Sequence, residues 1–122
     1  MPRVLVIDDD EQLRALLYEI LDRAGFEVIE AANGVDGLKL YRNQPADLVI
    51  TDLIMPEKEG VETIMELREQ FPDARIIAIS GGERSGGRNY LPIAMRLGAR
   101  RTVGKPFSRQ EILDAVRETL AA

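Results

Sequence analysis

The sequence predicts an α/β domain in which a five-stranded, mostly parallel sheet carries helices on both faces. Apolar runs alternate with helix-type patterns five times along the chain, and such an alternation requires crossover connections between neighbouring strands. The runs at residues 4–7, 48–50 and 76–79 are continuous rather than alternating, as in strands buried on both faces. With 122 residues, the chain has the length of one such domain, which we expect to span 1–122.

The first half of the chain contains two strand–helix units. The β-branched run at residues 4–7 stops abruptly at Asp8 and predicts the first strand. Apolar residues then recur at intervals of three and four, which predicts a helix that Gly25 can end through a positive φ. These residues are Leu13, Leu16, Leu17, Ile20, Leu21 and Ala24. Residues 27–30 predict a second strand, and the apolar spacing of residues 35–41 predicts a second helix after an Asn-Gly turn.

The second half contains three further units. Residues 48–50 predict the third strand, and the apolar spacing of residues 61–67 predicts the third helix. Residues 76–79 predict the fourth strand. A weaker fourth helix follows, with apolar positions that include Ile93, Ala94 and Leu97 before Gly98. A short fifth strand at residues 102–103 precedes the last helix, which a capping box at residues 108–111 begins.

Composition excludes several classes of function. The chain has 16 Lys and Arg against 21 Asp and Glu, and its formal charge of −5 disfavours binding to nucleic acid or to anionic membranes. It has no Cys and no His, which excludes disulfides, thiolate catalysis, Cys-ligated zinc and imidazole bases. No signal segment and no apolar run of about 18 residues is present, so we expect a cytoplasmic protein.

Chemically distinctive side chains follow the ends of four predicted strands. The carboxyl ends of parallel strands meet at one edge of a sheet, where ligands bind in folds of this class. These side chains are Asp8, Asp9 and Asp10 after the first strand, Asp52 after the third, Ser80 after the fourth and Lys105 after the fifth. We therefore expect them to converge on one site.

This set of side chains is suited to phosphoryl transfer. Neighbouring carboxylates repel one another, and a bound Mg²⁺ would relieve that repulsion, which assigns Asp8 and Asp9 to the metal. With His and Cys absent, Asp52 and Ser80 are the candidate nucleophiles, and a carboxylate needs no general base. Lys105 supplies a positive charge for the oxygens of the transferring group.

Each of these residues also has a simpler structural interpretation. Asp9 and Asp10 could serve only as the cap and first-turn acids of a helix. Asp52 could be a helix cap, Ser80 could belong to a turn, and Lys105 could be a solvated side chain. Their shared placement at the ends of strands favours the common site over these separate interpretations.

The sequence resembles the receiver domains of two-component response regulators along its whole length. The motifs that carry the resemblance are Asp8-Asp9-Asp10 after the first strand, Asp52-Leu53-Ile54-Met55-Pro56, Gly60, Ile79-Ser80-Gly81 and Lys105-Pro106-Phe107. The resemblance implies a flavodoxin-like fold with strand order 2-1-3-4-5 and a cis peptide before Pro106. It also implies a Mg²⁺ ion held by Asp9 directly, by Asp8 through water, by Asp52 and by the carbonyl of Ile54.

The resemblance further implies a signalling switch. Asp52 would receive a phosphoryl group from a phosphohistidine of a sensor histidine kinase or phosphotransfer protein, with Ser80 and Lys105 assisting. The domain would catalyse only its own phosphotransfer and dephosphorylation, and it would carry no output domain. The signal would pass to an unidentified output protein through the fourth helix and fifth strand, and a phosphorylation-dependent dimer stays open.

One feature departs from this family pattern, and a second concerns the distribution of charge. Most receivers have an aromatic residue three positions before the lysine, where this chain has Thr102. Residues 84–109 contain seven basic and no acidic residues, which indicates either an acidic partner for the fourth helix and fifth strand or a solvated basic face that balances the acidic edge.

Two other functions compete with the receiver interpretation. The Asp8-x-Asp10 spacing resembles that of haloacid-dehalogenase phosphatases, which also use an aspartyl phosphate, although Gln12 stands where that family has Thr or Val. The chain could also be an adaptor that uses the same fold for binding alone, independently of phosphorylation.

Overall fold

The continuous apolar runs form one parallel sheet. The computed structural model describes residues 1–52, 59–80 and 95–121. Its strands are β1 (Arg3–Ile7), β2 (Glu27–Ala31), β3 (Leu48–Asp52), β4 (Ile76–Ser80) and β5 (Arg101–Gly104). They pair in parallel in the order β2-β1-β3-β4-β5, which confirms the predicted fold class and strand order. The central strands β1 and β3 are buried from Val4 to Ile7 and throughout β3, in agreement with their continuous apolar runs.

Helices connect the strands, as the alternating pattern predicts. They are α1 (Glu11–Arg23), α2 (Gly34–Asn43), α3 (Glu59–Gln70) and a C-terminal helix (Arg109–Ala121). Residues 95–97 are also helical and form the end of the predicted fourth helix, while Ile93 and Ala94 lie outside the described residues. Gly25 follows α1 with a φ of 94°, and Gly98 follows residues 95–97 with a φ of 119°, so both glycines end helices as predicted.

Side chains at the helix starts bond the free backbone N–H groups there. The Asp10 carboxylate accepts hydrogen bonds from the Gln12 and Leu13 amides and is the N-cap of α1. Ser108 and Glu111 form the predicted capping box, in which each side chain accepts from the other's amide. Asn33, predicted as a turn residue, instead caps α2 by accepting from the Asp36 amide at 2.8 Å.

The sheet separates two apolar cores, and successive residues of β1 point into different ones. Val4 and Val6 face the core formed with α1 and the C-terminal helix, whereas Leu5 and Ile7 face the core formed with α2 and α3. On the second face, α2 approaches β1 so closely that a Cβ at Gly37 would meet the Ile7 side chain. Within the described ranges, no helix is both long and apolar enough to span a membrane.

Candidate functional site

The sheet register brings the predicted residues to one edge. Asp8 directly follows β1, and Asp52 is the last residue of β3. Ser80 ends β4 and pairs with Gly104, the residue before Lys105. All four positions therefore lie at the carboxyl edge of the sheet, where the topology predicts them to be.

Lys105 and Asp52 form an ion pair across this edge. The Nζ atom of Lys105 donates to Oδ2 of Asp52 at 2.7 Å. Asp52 is only 3% exposed, and the Lys105 side chain is 24% exposed. Lys105 is thus a partly buried member of the site and not a solvated side chain, and its peptide bond to Pro106 is cis.

Asp8 is a buried carboxylate beside this pair. Its Oδ1 accepts a hydrogen bond from the Asp10 amide at 2.8 Å, whereas its buried Oδ2 has no hydrogen-bond partner. Burial is the main cause that raises the pKa of Asp8 from 3.8 to about 6, and the negative charges of Asp52 and Asp9 raise it further. The Asp10 amide and the Lys105 ammonium oppose this rise. The protein therefore holds a carboxylate that is costly to ionise next to Asp52.

The other two acids of the first motif play different parts. Asp10 caps α1, so its simpler structural interpretation is correct. Asp9 is exposed, and its negative charge contributes to the raised pKa of the neighbouring Asp8.

Arg14 contacts the Asp8 backbone, a role that the motifs of the sequence do not predict. Its Nη1 atom donates to the carbonyl of Asp8 at 2.8 Å, and its Nε lies 3.4 Å from Oε1 of Glu30 in β2. One feature of the sequence could have indicated a buried role for Arg14. It is a charged residue next to the apolar stripe of α1, beside Leu13 and three residues before Leu17.

Ile54 and the Ser80 side chain lie outside the described part of the chain, whereas Thr102 lies within it. Ile54, whose carbonyl the resemblance assigns to the metal, lies outside the described residues. Ser80 has a described backbone, and the role of its hydroxyl stays a prediction. Thr102 is half-buried and lines a cleft of about 310 Å³ between β5 and the C-terminal helix.

The predicted basic surface is less uniform than the sequence indicates. The C-terminal helix contributes Glu111, Asp114 and Glu118 to the cleft beside β5, and Glu118 pairs with Arg101. Exposed arginines are left at positions 96, 100 and 109 in the described part of this surface.

The oxygen donors of the site fit a hard divalent cation. Asp8 and Asp52 are both buried, and Oδ2 of Asp8 has no partner. Mg²⁺ commonly uses one or two carboxylates and completes its shell with water and phosphate oxygens. Within the described ranges no three acidic side chains are grouped closely enough to hold a metal ion.

Comparison with known proteins identifies the family. A family model described as the response regulator receiver domain matches residues 4–117. The chain belongs to the response regulator receiver family. Like other receivers, it is a signalling component rather than an enzyme that turns over a separate substrate.

Similar receiver proteins match over almost their whole length. The chemotaxis protein CheY of Halobacterium salinarum is 36% identical over 121 residues, which are 98% of each chain. CheY of Bacillus subtilis is 34% identical over 119 residues, which are 97% of each chain. Among solved structures, the response regulator TrrA of Thermotoga maritima in complex with Mg²⁺-BeF is 33% identical, with a TM-score of 0.85 over 98% of this chain and 99% of that chain.

Proposed function

We propose that this receiver is a phosphoacceptor switch in which Asp52 accepts a phosphoryl group from a phosphohistidine of a sensor histidine kinase or phosphotransfer protein. The observation that carries the proposal is the Lys105 ammonium, 2.7 Å from Oδ2 of the buried Asp52. A cation at this position compensates the negative charge that a phosphoryl group brings to the carboxylate. The membership of the receiver family supports the same role.

The proposed reaction forms one bond and breaks one. A carboxylate oxygen of Asp52 attacks phosphorus, the P–N bond of the phosphohistidine breaks, and its electron pair returns to the imidazole nitrogen. Lys105 binds an oxygen of the transferring group, and the Ser80 hydroxyl donates to another. The product is an acyl phosphate on Asp52.

We propose Asp8, Asp9, Asp52 and the carbonyl of Ile54 as the residues that hold Mg²⁺. The buried Oδ2 of Asp8 supports this assignment because it has no hydrogen-bond partner in the protein. When bound, the ion would neutralise charge on the phosphoryl oxygens. The relative from Thermotoga maritima, solved with Mg²⁺-BeF, supports the same chemistry for this chain.

Hydrolysis of the phosphoaspartate would be the only other reaction, and we expect it to be slow. Neither Ile54 nor Gly82, two positions after Asp52 and Ser80, carries an acid or amide that could orient a water. This expectation separates the receiver from a phosphatase of the haloacid-dehalogenase type, which would release phosphate repeatedly.

The proposed output surface consists of residues 95–104, the end of the predicted fourth helix and β5. Met95 is 50% exposed, and Arg96 and Arg100 are also exposed. An exposed apolar side chain beside basic ones suits an acidic output protein with an apolar anchor. We propose that neither nucleic acid nor a membrane is a direct partner. The cytoplasmic location, the absence of an output domain and a phosphorylation-dependent dimer stay predictions.

The central test is covalent labelling of Asp52. The protein is incubated with a small acyl-phosphate donor and Mg²⁺, and intact mass is measured for wild type, Asp52→Asn and Asp47→Asn. Asp47 is a matched control because it directly precedes β3, at the opposite end from Asp52, and is exposed. We expect one phosphoryl group on wild type and Asp47→Asn and none on Asp52→Asn. Equal labelling of all three proteins would contradict the proposal.

Two further measurements separate the alternatives. Repeated phosphate release from a small phosphomonoester would favour a phosphatase.

The output surface is tested by amide hydrogen exchange with Mg²⁺ and beryllium fluoride. We expect altered exchange in residues 95–104 of wild type and not of Asp52→Asn. Unchanged exchange there would favour an adaptor that does not depend on phosphorylation.

A further inference from the structure

The main chain of Asp8 is held on both sides. Its amide donates to the carbonyl of Ala31 in β2 at 3.1 Å, and its carbonyl accepts from Nη1 of Arg14 at 2.8 Å. Its Oδ1 accepts from the Asp10 amide at 2.8 Å. Only Oδ2 of this buried residue has no hydrogen-bond partner. The geometry of the residue is thus fixed by hydrogen bonds except at this oxygen.

Arg14 is itself fixed at two points. Its Nη1 contacts the Asp8 carbonyl, and its Nε lies 3.4 Å from Oε1 of Glu30. The Arg14 side chain is 18% exposed and that of Glu30 is 38% exposed. Because a guanidinium is planar and rigid, two contacts define its orientation. Arg14 therefore links three elements at the site: α1, the end of β1 and β2.

We propose that Arg14 is a positioning residue for the Asp8–Asp9 pair. It fixes the direction of the peptide between the two acids and so sets where the Asp8 carboxylate and the Asp9 side chain lie. This inference rests on the proposed function, since it assigns Arg14 an effect on Mg²⁺ binding. Arg14 acts through the Asp8 carbonyl and not as a metal ligand or as a group that touches the phosphoryl donor.

The loss of this contact should reduce affinity for the ion more than it disturbs the fold. Without Arg14, the partly buried Asp8 carbonyl loses its hydrogen bond and the peptide can rotate. Residues that orient metal ligands typically change metal affinity tenfold or more when they are removed. The backbone contacts through the Asp8 and Asp10 amides would persist and keep β1 and α1 in place.

The test is a calorimetric titration with MgCl₂ of wild type, Arg14→Ala, Arg14→Lys, Glu30→Gln and Arg23→Ala. Arg23 is the matched control because it lies on the same helix and pairs only with Glu19 among the described residues, at an exposed position. We expect roughly tenfold weaker binding for Arg14→Ala and a smaller loss for Arg14→Lys and Glu30→Gln. Arg23→Ala should bind like wild type. Circular dichroism and urea unfolding establish that each variant is folded.

A second readout separates positioning from general damage. The rate of labelling by the acyl-phosphate donor is measured against MgCl₂ concentration, and Arg14→Ala should require more MgCl₂ while it reaches nearly the wild-type rate at saturation. Wild-type Mg²⁺ affinity in folded Arg14→Ala would overturn the inference, as would a rate defect that persists at saturation. If Arg14→Ala does not fold, unchanged affinity in both Arg14→Lys and Glu30→Gln would overturn it. A wild-type protein that binds no Mg²⁺ would instead overturn the proposed metal site itself.

Discussion

The ammonium of Lys105 lies 2.7 Å from Oδ2 of Asp52, although 53 residues separate them in the chain. The parallel sheet creates this contact, because β3 and β5 flank β4 and both end at the same edge. Asp52 is almost completely buried, so the pair has little access to screening by solvent. The contact that we propose to compensate an incoming phosphoryl group would therefore also support the resting protein.

Substitution of Lys105 by methionine should destabilise the protein. Asp52 would lose this ion pair and the repulsion between Asp52 and Asp8 would no longer be offset by the ammonium, so we expect the free energy of unfolding to fall by about 1–3 kcal/mol near neutral pH. The measurement is urea unfolding. Lys39→Met, at an exposed position of α2, is the control and should change stability by less than about 0.5 kcal/mol. Equal losses for the two variants would contradict the prediction.

The buried Asp8 predicts a specific dependence of stability on pH. Its pKa is about 6 in the folded protein against 3.8 for the free side chain, mainly because of burial, so the folded state binds the proton more tightly. The contribution of Asp8 to stability therefore falls as the pH rises from about 4 to about 6. Above that range Asp8 is ionised in both the folded and the unfolded state, and its destabilising effect stays constant.

Removal of the Asp8 charge should stabilise the protein when Mg²⁺ is absent from the solution. We expect Asp8→Asn to raise the free energy of unfolding on the order of 2–3 kcal/mol near neutral pH and to have a shrinking effect as the pH falls toward about 4. Urea unfolding over a pH series measures the difference. A gain that is the same at every pH would show that the Asp8 charge is not its cause.

The close approach of α2 to β1 predicts that Gly37→Ala is destabilising. The new Cβ would meet Cδ1 of Ile7 and lie 2.8 Å from its Cγ1. We expect a loss of about 1–3 kcal/mol from overpacking, despite the advantage of about 1 kcal/mol that alanine has over glycine within a helix. In an Ile7→Val background, which lacks Cδ1, the same substitution should cost less. An equal loss of stability in the wild-type and Ile7→Val backgrounds would show that contact with Cδ1 of Ile7 is not the cause.

The cleft beside Thr102 predicts tolerance of a larger side chain there. Thr102 and Val103 both border a space of about 310 Å³, but Thr102 is half-buried whereas Val103 is 7% exposed and packs in the core. Thr102→Tyr should therefore change the free energy of unfolding by less than about 1 kcal/mol. Val103→Tyr should lose about 1–3 kcal/mol or more. Urea unfolding of the two variants measures both losses. A larger loss of stability for Thr102→Tyr than for Val103→Tyr would contradict the prediction.

The fold and much of the site geometry could be predicted from the sequence, because local patterns encode them. The continuous run at residues 4–7 reports burial on both faces, and the acids that follow it mark the end of a strand. Asp52 and Lys105 follow their own strands in the same way, so the topology alone brings them to one edge.

Other features depend on packing between elements and could not be predicted from one sequence. The contact of Arg14 with Glu30 requires the spacing between α1 and β2, and the need for glycine at position 37 requires the distance between α2 and β1. The local excess of basic residues did not reveal that Glu118 would reach Arg101 from the C-terminal helix. Sequence patterns report burial and periodicity along one element, whereas these contacts join elements.

The strand direction has a practical consequence for attaching labels. Met1 precedes β1 and is 86% exposed, and near the other end of the chain Glu118 pairs with Arg101, the first residue of β5. Met1 and Glu118 therefore lie on the side of the molecule away from Asp52. A fluorophore or a biotin tether attached near either residue would stay clear of the site, so that the proposed phosphorylation of Asp52 could be followed on single immobilised molecules.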